Sequence, residues 1–103
     1  MQYLVIFTPH EKFKTEGVPA DFMERELQEE AQVRVLYAGN GLRQVWAKVP
    51  ETLGAVTVFE AESPQHLQEM IDSFPLVKLD YCQYQITPLK PHAAFMPPPN
   101  KKP

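Results

Sequence analysis

Apolar and polar positions along the chain follow two different periods, one of two residues and one of three to four. Four short runs of apolar, β-branched and aromatic residues predict β-strands, because such side chains pack well on a pleated sheet. The runs are QYLVIFT at 2–8, LRQVWAKV at 42–49, GAVTVFEA at 54–61 and DYCQYQIT at 80–87. The turn PETLG joins the second and third runs, which are therefore expected to pair as a hairpin.

The segment between the first two strands predicts a long helix. Pro19 lies near its start and the GNG of residues 39–41 at its end, an asymmetry typical of helices. One stripe on the helical wheel predicts the face that packs on the core: Ala20, Met23, Leu27, Ala31, Val35 and Ala38. Arg34 falls within this stripe with Glu30 one turn earlier, which indicates a buried polar pair. The opposite side carries a second apolar group, which indicates a subunit contact: Phe22, Val33 and Leu36.

A second helix is predicted between the third and fourth strands. Ser63 is a good N-cap, Pro64 occupies the first helical position, and Pro75 ends the segment. Four apolar residues recur between these limits at helical spacing: Leu67, Met70, Ile71 and Phe74. Residues 9–18, by contrast, show neither period and predict an exposed loop.

The predicted order of elements is strand, helix, strand, strand, helix, strand, which is the ferredoxin-like βαββαβ arrangement of the α+β class. An antiparallel four-stranded sheet would span residues 1–87, with two helices on one face. Apolar and aromatic residues on both sides of the strands predict that the second face is also covered, as in a homodimer joined sheet to sheet. Residues 88–103 hold six of the 11 prolines and predict an extended tail, which packs on a neighbouring subunit or lies in solvent.

The composition of the chain argues against several classes of partner but does not indicate a particular function. The formal charge of −3 comes from 13 acidic and 10 basic residues without long runs of either sign, which argues against nucleic acid and anionic membranes as partners. A single cysteine, Cys82, cannot form an internal disulfide, and neither a signal peptide nor a membrane-spanning segment is evident. The simplest interpretation is a cytoplasmic protein. His10, His66, His92 and Cys82 lack metal-ligand spacing, so no metal site is expected.

Several motifs, taken together, resemble one enzyme family. They are VPADFM before the first helix, EEA at 29–31, VW in the second strand, TVFEAES from the third strand into the second helix, FPL after it, and ITPLKPH at 86–92. Over roughly residues 17–92 the chain resembles the muconolactone isomerases of bacterial aromatic-compound catabolism, in the β-ketoadipate pathway. The resemblance implies a dimeric α+β barrel, assembled into larger rings with exchanged C-terminal segments. It also implies a cofactor-free proton shift within an unsaturated five-membered lactone that bears a carboxylate arm.

Such a proton shift requires a base, a donor or cation for the dienolate oxygen, and a cation for the substrate carboxylate. Glu30 is the candidate base on the helical wheel, with the adjacent Glu29 as a second catalytic candidate. Partial burial would raise the pKa of Glu30, and Arg34 would hold its carboxylate while lowering that pKa. A structural ion pair at positions i and i+4 explains Glu30 and Arg34 equally well.

Two positions depart from the family pattern. Where the family usually has Glu followed by Lys, this chain has Glu29 followed by Glu30, and the usual Arg after the strand Trp is Ala47. Recognition of the same lactone carboxylate therefore does not follow from the resemblance. Three substrate-binding cations could take the place of the missing ones: Arg34, Arg43 and Lys48. Strand alternation puts Arg43 and Lys48 on opposite faces, so at most one of them lines a given pocket.

Two further residues are candidates for substrate binding. Trp46 shares a strand face with Gln44 and Lys48, and its indole either walls a ligand cavity or packs in the core. His92 follows TPLKP, where the resembling family also has His, and in an exchanged tail it could close a neighbour's site. A histidine in a tail is more often simply solvated.

Three functions remain open on the sequence. The first is a muconolactone-isomerase-like enzyme that moves a proton within a small lactone or related cyclic carbonyl compound. The second is a relative recruited to another proton-transfer or cyclisation step in secondary metabolism. The third is a non-catalytic ligand-binding α+β barrel. One structural feature distinguishes the catalytic functions, namely a cavity into which Glu30 or Glu29 points.

Overall fold

The structure is a computed structural model that describes residues 1–49 and 52–96. Its elements are β1 (Gln2–Pro9), α1 (Phe13–Glu16), α2 (Phe22–Ala38), β2 (Leu42–Lys48), β3 (Thr52–Glu60), α3 (Pro64–Asp72), α4 (Pro75–Lys78) and β4 (Cys82–Leu89). A short 3-10 turn follows at Ala93–Phe95. The predicted turn residues Pro50 and Glu51 lie outside the described residues, as does the tail from Pro97 onwards.

The four strands form one antiparallel sheet in the order β2-β3-β1-β4. This order and the helices confirm the predicted ferredoxin-like α+β fold, including the pairing of β2 with β3. In the centre of the sheet Val5 lies opposite Thr57 on one side and Ile86 on the other, which fixes the register of three strands. Residues that face each other across the ladder share a face of the sheet, so this register decides which side chains meet the helices.

The core lies between the sheet and the helices. Alternate residues of β1 are buried, namely Tyr3, Val5 and Phe7, as expected for a strand with one covered face. From α3 and the short link to α4 come Leu67, Met70, Ile71 and Phe74, all buried as the helical spacing indicates. The predicted cap is present too, since the Ser63 hydroxyl accepts a hydrogen bond from the backbone N–H of His66 at 3.0 Å.

The prediction of the inner face of α2 is wrong. Phe22 is only 4% exposed, and Val33 and Leu36 pack against the core, whereas Met23 is 79% and Leu27 67% exposed. The predicted stripe consists half of alanines, which gain little from burial, while Phe22 carries a large aromatic surface. The helix therefore turns its aromatic side inward, and the supposed subunit contact is part of the core.

Aromatic packing and hydrogen bonds hold the start of α2 to the start of β4. The ring of Phe22 stacks on Tyr81 with 6.0 Å between centroids and meets Phe13 edge-on at 5.9 Å. The Tyr81 hydroxyl donates to Asp21 at 2.9 Å, and the Arg25 guanidinium donates to the other oxygen of Asp21 at 3.1 Å. These two bonds lower the pKa of Asp21, so the carboxylate is kept charged as an acceptor.

The strands differ from their predicted ranges by one or two residues at an end, and two further short helices, α1 and α4, are present. Two of these differences have a clear physical reason. The expected loop at 9–18 contains the four-residue helix α1, because Phe13 packs edge-on against Phe22 and Tyr81 and folds the segment onto the core. β4 continues through Pro88 to Leu89, two residues beyond the predicted strand. As β4 is an edge strand of the sheet, the missing N–H of a proline is tolerated there.

The sheet face turned away from the helices carries apolar side chains with partial or full exposure. Leu4, Ile6, Val56 and Val58 are partly buried there, and Trp46 is 62% exposed. Over the part of the chain that is described, no helix is both long enough and apolar enough to cross a membrane.

Gly54 is the glycine that the sheet requires. Its φ of +116° lies in the region that L-residues avoid, and an added Cβ would clash with the carbonyl oxygen of Phe7. Gly54→Ala is therefore expected to lower the free energy of unfolding by about 2–3 kcal/mol, as measured by urea denaturation. Gly39→Ala is the matched control, because its Cβ would meet only ordinary contacts. Equal stability of the two variants would contradict this account of the β1–β3 contact.

Candidate active-site cleft

A cleft of about 870 Å³ opens between α2 and the sheet. This volume lies within the range of roughly 300–1,000 Å³ typical of small-molecule sites. Its walls are mostly apolar. The sheet contributes Phe7, Val45, Leu53, Ala55 and Thr57, α2 contributes Met23, Leu27 and Val33, and the far end is formed by Phe74, Leu76 and Cys82.

Glu29 is the carboxyl group that α2 directs inward. It lies seven residues, or two helical turns, after the buried Phe22, so both residues occupy the same side of the helix. The side chain is partly buried, and its Oε1 accepts a hydrogen bond from the backbone N–H of Leu76 at 3.2 Å. Leu76 is in the first turn of α4, where backbone N–H groups lack partners within their own helix. This bond fixes the carboxyl group at the end of the cleft.

The surroundings change the acidity of Glu29. Burial raises its pKa from the ordinary 4.5 to about 7; the hydrogen bond from Leu76 opposes the shift, and the negative charge of Glu26 adds to it. Near neutral pH the group therefore exists in both protonation states. A carboxyl with a pKa close to the working pH can both accept and return a proton, which is the property of an efficient general acid–base catalyst.

The prediction of a buried pair between Glu30 and Arg34 is wrong. Both side chains are exposed, and within residues 1–49 and 52–96 no ion pair joins them. The physical reason is the rotation of α2, which turns the predicted inner stripe away from the core and leaves part of it along the open side of the cleft. Glu30 and Arg34 nevertheless line the open side of the cleft, as do Glu24 and Glu26.

The structure places two other predicted substrate-binding residues on the far side of the sheet. Val45 and Ala47 line the cleft, so the alternation of β2 turns Trp46 and Lys48 to the opposite face. There the Trp46 indole donates to the amide oxygen of Gln44 at 3.3 Å, in agreement with the shared face expected for these residues. Neither Trp46 nor Lys48 reaches the cleft of its own chain.

Arg43 and His92 also lie apart from the cleft. Arg43 is exposed at a bulge in β2, where the register shifts between Leu42 and Gln44. His92 is exposed beyond β4, and its Nδ1 accepts a hydrogen bond from Ala94. Of the seven predicted site residues, the structure therefore brings together Glu29, Glu30 and Arg34.

Sequence reasoning missed Glu26. This side chain is partly buried at the cleft, and burial together with the charge of Glu30 raises its pKa. Its spacing of three residues before Glu29 would have revealed it, because residues at i and i+3 lie on the same helix face.

Cys82 and Thr57 are polar groups at the cleft with structural explanations. Burial, aided by the charge of Glu29, raises the pKa of the Cys82 thiol to about 12, so it stays un-ionised at neutral pH and is a poor nucleophile. The buried Thr57 hydroxyl donates to the carbonyl oxygen of Val5 at 2.7 Å. Among the described residues, no group of three or more His, Cys, Asp or Glu is arranged to hold a metal ion.

The chain folds as a ferredoxin-like α+β domain with a carboxyl group at an apolar cleft, whose volume is typical of small-molecule sites. The sequence model of muconolactone delta-isomerase matches residues 1–94. The chain therefore belongs to the muconolactone delta-isomerase family. This membership supports an isomerase-like role on a small molecule. Among proteins with curated descriptions, none matches the sequence significantly.

Two solved structures share the fold. A muconolactone isomerase crystal structure matches with a TM-score of 0.71 and 20% identity, covering 91% of this chain and 93% of that one. A 5-chloro-2-hydroxyhydroquinone dehydrochlorinase from Burkholderia phenoliruptrix AC1100, in complex with 2,5-dihydroxybenzoquinone, matches with a TM-score of 0.68 and 13% identity. The alignment covers 87% of this chain and 94% of that one.

The raised pKa of Glu29 predicts a pH-dependent stability. Because the folded state binds this proton more tightly than the unfolded state, the contribution is fully present below pH 4.5 and is lost as pH rises through about 7. Each unit of pKa displacement corresponds to about 1.4 kcal/mol. In urea denaturation, the wild type should lose stability relative to Glu29→Gln between pH 5 and pH 8.

Glu62→Gln controls for the loss of one negative charge, since Glu62 is exposed and is not among the residues that line the cleft. A stability difference between wild type and Glu29→Gln that stays constant over this pH range would contradict the buried position of the carboxyl group.

Proposed function

We propose that the protein is a cofactor-free isomerase that shifts a carbon–carbon double bond within a small unsaturated lactone or related cyclic carbonyl compound. The observation that carries this proposal is the partly buried Glu29 carboxyl, with a pKa raised to about 7, at the end of an apolar cleft. Membership of the muconolactone delta-isomerase family supports the same reaction class. On this basis the enzyme acts in the cytoplasmic breakdown of aromatic compounds.

In the proposed mechanism, Glu29 as carboxylate takes a proton from a ring carbon that the conjugated carbonyl has acidified. The electron pair of the broken C–H bond moves into the ring and charges the carbonyl oxygen, which gives a dienolate. The protonated Glu29 then returns the proton to a different carbon of the same system, and the double bond is left in its new position. Atoms and charge balance without a further reactant, and the apolar walls keep water away from the dienolate.

Two neighbours support Glu29 in this role. The Leu76 N–H holds one carboxyl oxygen in place, which leaves the other available to the substrate. The Arg34 guanidinium lines the open side of the cleft, and we assign it to stabilise the negative charge on the dienolate oxygen. We assign the base to Glu29 rather than Glu30, because Glu30 is exposed and lies a further 100° around the helix.

The functional unit is proposed to be a homodimer or a larger homo-oligomer. The partly exposed apolar face of the sheet, with Trp46 at 62% exposure, is the surface that a sheet-to-sheet dimer would cover. Phe95 beyond β4 is 86% exposed and would pack on a neighbour if the tail is exchanged. In such an assembly Arg43, Lys48 and His92 would serve a site only through the partner subunit.

Replacement of Glu29 tests the mechanism. Muconolactone and its methyl ester are incubated with the protein, and migration of the ring double bond is followed by proton NMR against the rate in buffer alone. Glu29→Gln should lower kcat by about 100-fold or more, the usual contribution of a general base. The decrease in kcat caused by Glu30→Gln should be at least about tenfold smaller than the decrease caused by Glu29→Gln.

Glu62→Gln is the matched control and should isomerise the substrate at the wild-type rate, because its side chain does not line the cleft. Circular dichroism establishes that each variant is folded. Undiminished isomerisation by folded Glu29→Gln would contradict the assignment of the base, and no isomerisation of either compound by the wild type would contradict the reaction.

A further inference from the structure

We propose that the cleft selects uncharged substrates: it accepts a neutral, largely apolar cyclic carbonyl compound and disfavours one that carries a carboxylate, with Glu26 and Glu30 as the specificity-determining residues. This inference rests on the proposed site around Glu29 and narrows the class of molecule that the site takes.

The charged groups around the cleft carry the argument. Along the described chain, the carboxyl groups that line it are those of Glu24, Glu26, Glu29 and Glu30, and the one guanidinium is that of Arg34. Positions 26, 29 and 30 lie within about one turn of α2, so their charges act on the same volume. A ligand carboxylate placed there would meet repulsion from several carboxylates and attraction from one cation.

The partial burial of Glu26 and Glu29 makes a further negative charge more unfavourable. Burial raises the pKa values of Glu26 and Glu29, and in both cases a neighbouring glutamate adds to the shift. The cleft therefore disfavours the charged forms of Glu26 and Glu29 even before a ligand binds. A bound anion would have to lose its water in the same poorly solvated region without a matching set of donors.

The apolar walls supply the attraction for a neutral ligand. Phe7, Met23, Leu27, Val45, Leu53 and Leu76 offer hydrocarbon surface on both sides of the cleft. A neutral ring gains from burial against such surface and has no charge to desolvate. At about 870 Å³ the cleft also exceeds what a single five-membered ring occupies, so substrates with a larger apolar substituent fit this volume.

The test compares two ligands with the same lactone ring and different side arms: muconolactone, whose arm is a carboxylate, and its uncharged methyl ester. Binding is measured by ligand-observed NMR at pH 8, independently of turnover. The ester is expected to bind at least about tenfold more tightly than the acid, and added salt should reduce this ratio, because screening weakens repulsion between exposed charges.

Charge variants identify the residues responsible. Glu30→Lys and Glu26→Gln should each raise the affinity of the acid relative to the ester by several-fold. Glu62→Lys, which makes the same charge change as Glu30→Lys outside the cleft, should leave the ratio at its wild-type value. If Glu62→Lys shifts the ratio as much as Glu30→Lys, net charge rather than the cleft sets the preference, and the proposal is overturned.

The two proposals fail in different ways. Preferential binding of the ester without any isomerisation supports the selectivity and contradicts the isomerase reaction. Equal binding of both compounds, tighter binding of the acid, or no binding of the ester overturns the selectivity, whether or not isomerisation occurs.

Discussion

The packing of Phe22 against Phe13 and Tyr81 is the contact on which the candidate site depends. This contact sets the rotation of α2, because a buried aromatic ring at the first residue of a helix decides which side of every later turn faces inward. Glu29, two turns further on, is carried inward with it, and Glu30 is carried outward. The hydrogen bonds of Asp21 with Tyr81 and Arg25 reinforce the same orientation.

The inward position of Glu29 has an energetic cost. A partly buried carboxyl that accepts one backbone hydrogen bond is less stable as an anion than it would be in water, and its raised pKa reflects this. An apolar residue at this position would remove that cost but would leave the Leu76 N–H without its acceptor. Carboxyl groups held under such conditions are concentrated at functional sites, where a pKa near neutrality is useful.

The fold could be predicted almost completely from local pattern. Alternation defined the strands, and α3 was evident from the spacing of Leu67, Met70 and Ile71 together with the Ser63 cap. The parity of β2 also placed Trp46 and Lys48 on one face. These features depend on residues close together in the sequence, for which periodicity is a reliable guide.

The inward-facing carboxyl group could be predicted only to within one residue. The wheel of α2 showed two apolar sides, and the choice between them depended on contacts with Tyr81, some 60 residues away. A helical wheel contains no information about such contacts, so the alanine-rich stripe was taken for the inner face and Glu30 for the buried carboxyl group. The departure from the Glu–Lys pattern of the family was visible in the sequence. The number of carboxyl groups that line the cleft became evident only from the structure.

The most direct test of this account is a ¹³C NMR titration of the Glu29 side-chain carboxyl in the folded protein. The account predicts a midpoint near pH 7, in keeping with a buried group whose pKa is raised to about 7. A midpoint near 4.5, the ordinary value for glutamate, would show that the surroundings do not raise the pKa of Glu29 and would contradict its proposed role as the base.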